Sequence, residues 1–260
     1  MIIIIKAREL GNYFIFEFPF LYIKIFREVK VMGTVTEFVG TAIGDTIGLV
    51  IANIDEQIKA SMNVDNRYRS IGIVGARTGA GPHIFAADEA IKGTNAEVVS
   101  IELARDTKGG GGHGCLIIFG AEDVSDVRRA VEICLAELDR TFGDVYANDA
   151  GHLEFQYSAR ASQALVKGLG ADQGKAFGIT VASPAAIGVL LADIAVKSAS
   201  VEVKGYSSPS KGTSYSNEVI LCISGDSGAV KQAIISAREV GISLLGTLGE
   251  EPKSATRPYI

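Results

Sequence analysis

Glycine runs, three histidines, three cysteines and two matched lysines are the residues of this chain with means to do chemistry or make specific contacts. Gly109-Gly110-Gly111-Gly112-His113-Gly114 resembles a phosphate cradle in composition. A P-loop needs Lys-Ser/Thr after the glycines and a helix N-terminus facing the phosphates. Here Cys115 to Phe119 follows, an apolar run that reads as a strand. Gly75-Ala76-Arg77-Thr78-Gly79-Ala80-Gly81-Pro82 sits between a strand and a helix and mimics a dinucleotide fingerprint. Its spacing is not G-x-G-x-x-G, and Ala182-Ser183-Pro184-Ala185-Ala186 stands at the matching place later in the chain. A structural turn with Pro82 near a helix start is the simpler reading. A nucleotide- or phosphate-binding enzyme using Gly75 to Gly81 is the alternative.

His83, His113 and His152 with Cys115, Cys134 and Cys222 contain no two residues at metal-ligand spacing, so neither a metal nor another cofactor is expected. The sparse, odd set of cysteines suits a reducing compartment better than a disulfide scaffold. The acid pairs Asp88-Glu89 and Asp144/Asp149 read as solvated faces or caps. No Ser-His-Asp or Cys-His arrangement can be assembled, so the expectation is not an enzyme.

The elements that position these residues are written twice. Ser70 to Ala76 is a short β-rich run, Ile84 to Lys92 a helical stretch, and Ala96 to Val99 a further strand. Roughly 105 residues later the pattern returns as Ala176 to Val181, Leu190 to Lys197 and Ser200 to Val203. Asp88 matches Asp193, Lys92 matches Lys197 and Glu97 matches Glu202. Leu116 to Gly120 matches Ile220 to Gly225, and the helical stretches Val124 to Arg140 and Ala229 to Leu245 follow. Thr36 to Ala42 pairs with Leu153 to Ala159. Each unit therefore reads strand, helix, strand, helix, strand, strand, helix, over 33–145 and 151–249, joined by Gly143 to Gly151 and followed by a tail, 250–260. The class is α/β (α+β), with connections too short for a doubly wound sheet. The Gly-rich loop between 96–104 and 114–120 favours an antiparallel ribbon.

Composition narrows the function. The chain of 260 residues carries a net charge of −5, which argues against a generic nucleic-acid binder. At 47% apolar and 21% charged it is an ordinary globular composition, not a disordered one. The longest stretch without charge, Ala176 to Ala192, falls short of a membrane span. Residues 1–32 differ from the rest: Met1 to Val31 holds five of the eleven Phe, interrupted by charges at Lys6, Arg8, Glu9, Glu17, Lys24, Arg27 and Glu28. That density fits neither a membrane helix nor a signal peptide. A docking tail and a start-site artefact are the readings, and the change of composition at Met32 favours the artefact.

The second unit carries a resemblance. Val196-Lys197-Ser198-Ala199, Val203-Lys204-Gly205-Tyr206 and Gly225-Asp226-Ser227-Gly228-Ala229-Val230-Lys231 are similar to runs of the bacterial microcompartment shell domain. Two such units in tandem, each with a strand moved to its front, resemble the circularly permuted tandem members of that family. Thr36 to Thr46, Ala76 to His83 and Leu245 to Gly249 resemble the B-type shell proteins of propanediol- and ethanol-utilisation compartments. The resemblance runs from Thr34 to the C-terminus and departs in the apolar N-terminal extension.

It implies two tandem shell domains, each a small, mainly antiparallel sheet with packed helices. It also implies a homotrimer of pseudo-sixfold shape, because six similar domains fill a hexagon. The tile would lie in a microcompartment shell in the cytoplasm, touching other shell proteins and possible encapsulated enzymes, with no nucleic acid and no membrane. Small polar metabolites (alcohols, diols or aldehydes) would cross through small pores within each subunit. The loops 105–114 and 207–216 would surround a central pore, offering Arg105, Lys108, Gly109, Gly110, Gly111, Gly112 and His113 from one and Ser207, Ser208, Ser210 and Lys211 from the other. Glycines there let loop tips crowd around an axis. The loops either ring a gated, anion-favouring opening or plug the axis. Lys92 and Lys197 would lie at tile edges; a lysine closing a helix is also favoured by the helix dipole alone. A small-molecule sensor domain is a further alternative.

Overall fold

The computed structural model describes residues 3–6, 13–16, 37–104 and 113–260. Two units are separable, Met1–Thr36 and Glu37–Ile260. In the first, β1 (Ile3–Lys6) pairs antiparallel with β2 (Tyr13–Phe16), Ile3 opposite Phe16 and Lys6 opposite Tyr13.

The larger unit holds the two repeats. The first runs β3 (Phe38–Ala42), β4 (Thr46–Ile51), α1 (Glu56–Ser61), β5 (Ser70–Ala76), α2 (Ala80–Lys92), β6 (Glu97–Ala104), β7 (Gly114–Ala121) and α3 (Val124–Thr141). The second runs β8 (Val145–Asn148), β9 (Gly151–Ser158), α4 (Gln163–Leu169), β10 (Ala176–Ser183), α5 (Ala185–Ser198), β11 (Val201–Ser207), β12 (Val219–Gly225) and α6 (Ser227–Gly246), and β13 (Lys253–Ser254) adds an edge. The sheets are ordered β3-β4-β5-β7-β6 and β11-β12-β10-β9-β8-β13, and every strand pair described is antiparallel. The expected class and the antiparallel ribbon both hold. No described helix is long and apolar enough to cross a membrane.

Two expectations change. Each repeat has one more leading strand than its sequence suggested. β3 therefore corresponds to β8, and β4 to β9, so Thr36 to Ala42 does not match Leu153 to Ala159. Register fixes the correspondence: Ile47 lies opposite Gly75, and Glu154 lies opposite Val181 at the same place in the second sheet. The segment read as a joint contains β8, whose four residues are too short a run for alternation to reveal; its partners β9 and β13 hold it.

Alternation decides which side of each sheet is covered. In β5, Gly72 lies against Val127 and Val131 of α3, while Ile71 on the other face joins a small cluster with Ile54, Val64, Tyr68 and Ile118. In β10, Gly178 lies against Val230 and Ile234 of α6. Glycine at both positions allows helix and sheet to close, since a Cβ would meet side-chain carbons at 2.8–2.9 Å. The opposite face of β10 presents Phe177, Ile179 and Val181, which join the core of the first repeat. The two domains thus share one core across a seam.

Candidate functional site

The seam is built where α2 packs on α4 and on the open face of the second sheet, with α4 also set against β6. Phe85 of α2 stacks on Phe177 of β10, with ring centroids 6.2 Å apart. Gly168 of α4 lets Ile84 approach, its missing Cβ lying 3.3 Å from Ile84 Cγ2. Asp88, fully buried, ties the helices together. It accepts Ser162 N–H at 2.9 Å, Ser162 Oγ–H at 2.7 Å and Leu165 N–H at 3.2 Å, so it serves as the N-terminal cap of α4 from another domain. Lys92 Nζ closes on Asp88 at 2.9 Å and reaches Ser158 Oγ at 3.3 Å. Asp88 was expected to be a solvated face or a cap. It is a cap, and the donors it collects repay its burial.

A cavity of about 40 Å³ lies in this seam, lined among others by Ala80, Gly81, Ile84, His113, Glu154 and Glu218. That is room for more than one water. Gly79, at φ +80°, turns the chain into α2, and Phe142 packs where its Cβ would be. Glu154 reaches from β9 to the first turn of α2, where a Cβ on Gly81 would fall 2.8 Å from Glu154 Oε2. Glu218, just before β12, lies between two imidazoles: His113 Nδ1 is 3.0 Å from Oε1, and His152 Nε2 is 3.6 Å from Oε2. The 3.0 Å contact lacks hydrogen-bond alignment. Glu218 Oε1, Glu154 Oε1 and His152 Nε2 are consequently buried without hydrogen-bond partners among the described residues. Burial, with Glu218 beside it, holds the Glu154 carboxyl well above the usual carboxylate range. Three orphaned polar atoms in one seam suit a guest that can both donate and accept hydrogen bonds.

The cysteines offer no nucleophile. Burial pushes the Cys115 and Cys222 thiols up to about 12, and Cys134 is raised further. All three are free and buried. No group of three potential metal ligands is found among the described residues. The Gly75 to Gly81 turn has no open cradle: Ala80 N–H donates to the His113 carbonyl at 2.8 Å. His83 is buried between Thr46 Oγ1, at 2.7 Å, and the Gly79 carbonyl, and burial lowers it to about 4.

Of the central-loop candidates, Arg105, Lys108, Gly109, Gly110, Gly111 and Gly112 lie outside the described residues. His113 belongs to the seam through Glu218. Ser207 ends β11, Ser208 exchanges backbone hydrogen bonds with Lys211, and Ser210 lies in the turn between them. Lys197 is exposed and pairs with Asp193 at 2.6 Å. Asp144, expected at a solvated face or cap, is instead fully buried. Arg238 Nη1 donates to it at 2.7 Å, and the N–H groups of Tyr259 and Ile260 at 2.9 and 3.0 Å; these donors from the tail and α6 offset its desolvation.

Sequence reading passed over Glu154 and Glu218. A signal for Glu154 existed: Leu153 and Phe155 face α5 and α6, so Glu154 between them must face the other way, into the seam. Glu218 had none, since it stands alone at the end of a polar loop.

A BMC domain family model matches residues 70–149 and 176–250. The bacterial microcompartment shell protein PduB of Citrobacter freundii is 68% identical over 227 residues, covering 87% of this chain and 84% of that protein. The crystal structure of a trimeric bacterial microcompartment shell protein PduB superposes with a TM-score of 0.83 at 54% identity, covering 86% of this chain and 99% of that one. EtuB from Clostridium kluyveri gives a TM-score of 0.84 at 55% identity, covering 88% and 100%.

Proposed function

The chain belongs to the BMC-domain family of bacterial microcompartment shell proteins, and from that premise we propose that three copies form a tile whose within-chain seams pass small polar metabolites. Its role is structural, as a component of a microcompartment shell. The tile does no chemistry of its own. The nucleotide-enzyme and sensor readings are not favoured beside relatives of this kind.

Trimer formation is supported by the faces the chain leaves open. α2 is covered by α4 and the second sheet; its counterpart α5 exposes Val189, Leu190 and Val196. α4 buries Leu165; its counterpart α1 exposes Ile58, and Met62 just beyond its end is exposed too. The first sheet leaves Ile47 exposed where the second has Glu154. A second copy that set its α1 and first sheet on α5 would repeat the seam between chains. Three such contacts close a ring of six domains.

Passage is supported above all by the seam cavity and by the Glu154 and Glu218 oxygens that lack a hydrogen bond among the described residues, which a hydroxylic guest would satisfy as it crosses. The loops 105–114 and 207–216 would meet around the central axis, where Lys211 and serine hydroxyls favour anions if an opening exists. Lys197, and on this reading Lys92, would face neighbouring tiles.

Light scattering tests the assembly, with a mass of three times 27.4 kDa expected and a stable monomer overturning it. Soaking trimer crystals in ethane-1,2-diol tests the passage. Density at the Glu154–Glu218 seam is expected, and an empty seam at saturating diol would count against it.

A further inference from the structure

We propose that Glu154 and Glu218 make the seam cavity a charge filter, which takes small uncharged hydroxyl compounds and rejects carboxylates and phosphates of similar size. The inference rests on the seam being the passage. Both acids enter from the second sheet, and each is only 2% exposed. Both line the cavity, and each has an oxygen without a hydrogen-bond partner among the described residues. His152 Nε2, 3.6 Å from Glu218 Oε2, also makes no hydrogen bond among the described residues.

A hydroxyl group suits this set because it can donate to a carboxyl oxygen and also accept from a neighbouring N–H or protonated acid. A carboxylate offers only acceptors, and it would set its charge against buried acid oxygens where little water screens it. The neighbouring start of α2 would ordinarily favour an anion. Here Glu154 occupies that position, with Oε2 against Gly81, and Ala80 N–H is taken by the His113 carbonyl at 2.8 Å. Cavity width cannot make this distinction, because –CH₂OH and –COO⁻ are nearly the same size.

The filter belongs to only one kind of seam. The register places Ile47 where Glu154 stands. Gly114 occupies the place of Glu218, since Ala76 opposite Cys115 repeats Ala182 opposite Val219. A seam between copies would carry neither acid and would be apolar. The trimer would then hold filters only within its chains.

Ethane-1,2-diol and glycolate share a skeleton and differ at one end, so they are the probes. Their affinities for the full-length protein are measured by saturation-transfer NMR at neutral pH. The wild type is expected to bind glycolate at least tenfold more weakly than the diol. Glu154→Gln with Glu218→Gln, and each alone should the pair fail to fold, is expected to raise the glycolate-to-diol affinity ratio at least tenfold. Gly81→Leu fills the cavity and should abolish the diol signal. A ratio unmoved in the Gln variants, with diol binding still sensitive to Gly81→Leu, overturns the filter and leaves the passage standing. Diol binding that survives Gly81→Leu, or no diol binding by the wild type, overturns the passage itself.

Discussion

Ile84 and Val189 hold the same position on α2 and α5, yet one is 1% exposed and the other 53%. Leu165 and Ile58 hold the same position on α4 and α1, and their exposures are 0% and 53%. The two repeats have nearly the same fold but different neighbours. Within the chain, α4 and the second sheet cover α2; the matching surfaces leave Ile58 of α1, Val189 of α5 and Ile47 of the first sheet exposed, although Ile71 and Ile118 on the same sheet face as Ile47 are covered by Ile54, Val64 and Tyr68. One interface is therefore completed during folding and its twin is left for association. The charged groups follow the same division. Asp88 is buried as a cap across the seam, whereas Asp193 stays in water with Lys197.

The strongest way to break this comparison is to remove the two aspartates separately. Asp88→Ala leaves Ser162 N–H and Leu165 N–H without that acceptor and takes from Lys92 its buried partner, Glu89 remaining. Losing one side of a buried pair costs about 3–5 kcal/mol. Asp193→Ala removes an exposed pair, for which about 0–1 kcal/mol is expected. Urea unfolding of both variants measures the difference. Equal losses would mean the seam holds the fold no more firmly than the outer face does.

Acid sensitivity should belong to the first repeat. His83 is held neutral by burial, at about 4 against an ordinary 6.5. Its folded-state pKa is depressed, so its contribution is complete above about 6.5 and is lost as pH falls through about 4. The window corresponds to about 3 kcal/mol at 1.36 kcal/mol per pH unit. The matching position in the second repeat is Gly188, whose place beside Val219 leaves no room for a side chain. His83→Gln should flatten the stability profile between pH 6.5 and 4, measured by urea midpoints. An unchanged slope would place the acid sensitivity elsewhere.

Association should respond to Ile58→Glu more than folding does. Ile58 is half-exposed in the single chain, so the variant should unfold at the same urea concentration when dissociated. Burying the exposed half of an isoleucine contributes about 0.8–1.5 kcal/mol at each of the three contacts, so the trimer should dissociate at concentrations roughly ten- to fiftyfold higher. Analytical ultracentrifugation over a dilution series reads this. Lower monomer stability with unchanged association would put Ile58 inside the fold, contrary to its exposure.

Much of this was legible in residue order. The repeat of Asp88-x-x-x-Lys92 as Asp193-x-x-x-Lys197 located both helices, and the glycine-to-proline turn located the start of α2. β8 was missed because Val145–Asn148 is a strand only through its neighbours β9 and β13. Asp144 was misread because its donors come from Arg238 and the last two residues, about a hundred positions away. The seam acids were missed for a related reason. Glu154 looks like any strand residue facing water until the first repeat is folded over it. A chain that is its own binding partner hides that interface from any reading of one repeat at a time.

The smallest effect expected concerns the lysines, which look alike in sequence and differ in place. Lys197 has 74% of its side chain exposed and, among the described residues, holds only Asp193; Lys92 has 28% exposed and touches Asp88, Glu89 and Ser158. If both served tile edges equally, either alanine variant would weaken sheet formation to the same extent. The seam predicts otherwise. Lys197→Ala should leave folding unchanged and cost each lateral contact about 0–1 kcal/mol, as exposed pairs do. That cost is small per contact but is repeated around every tile. Lys92→Ala should lower the urea midpoint by leaving Asp88 short of a partner, with its effect on sheets following from that loss. Turbidity of concentrated trimer, read beside the unfolding curve of the same sample, separates the two. Sheets that form normally from Lys197→Ala would remove the edge role from the lysine best placed to have it. Sheets lost from Lys92→Ala at an unchanged urea midpoint would give that role to the other repeat.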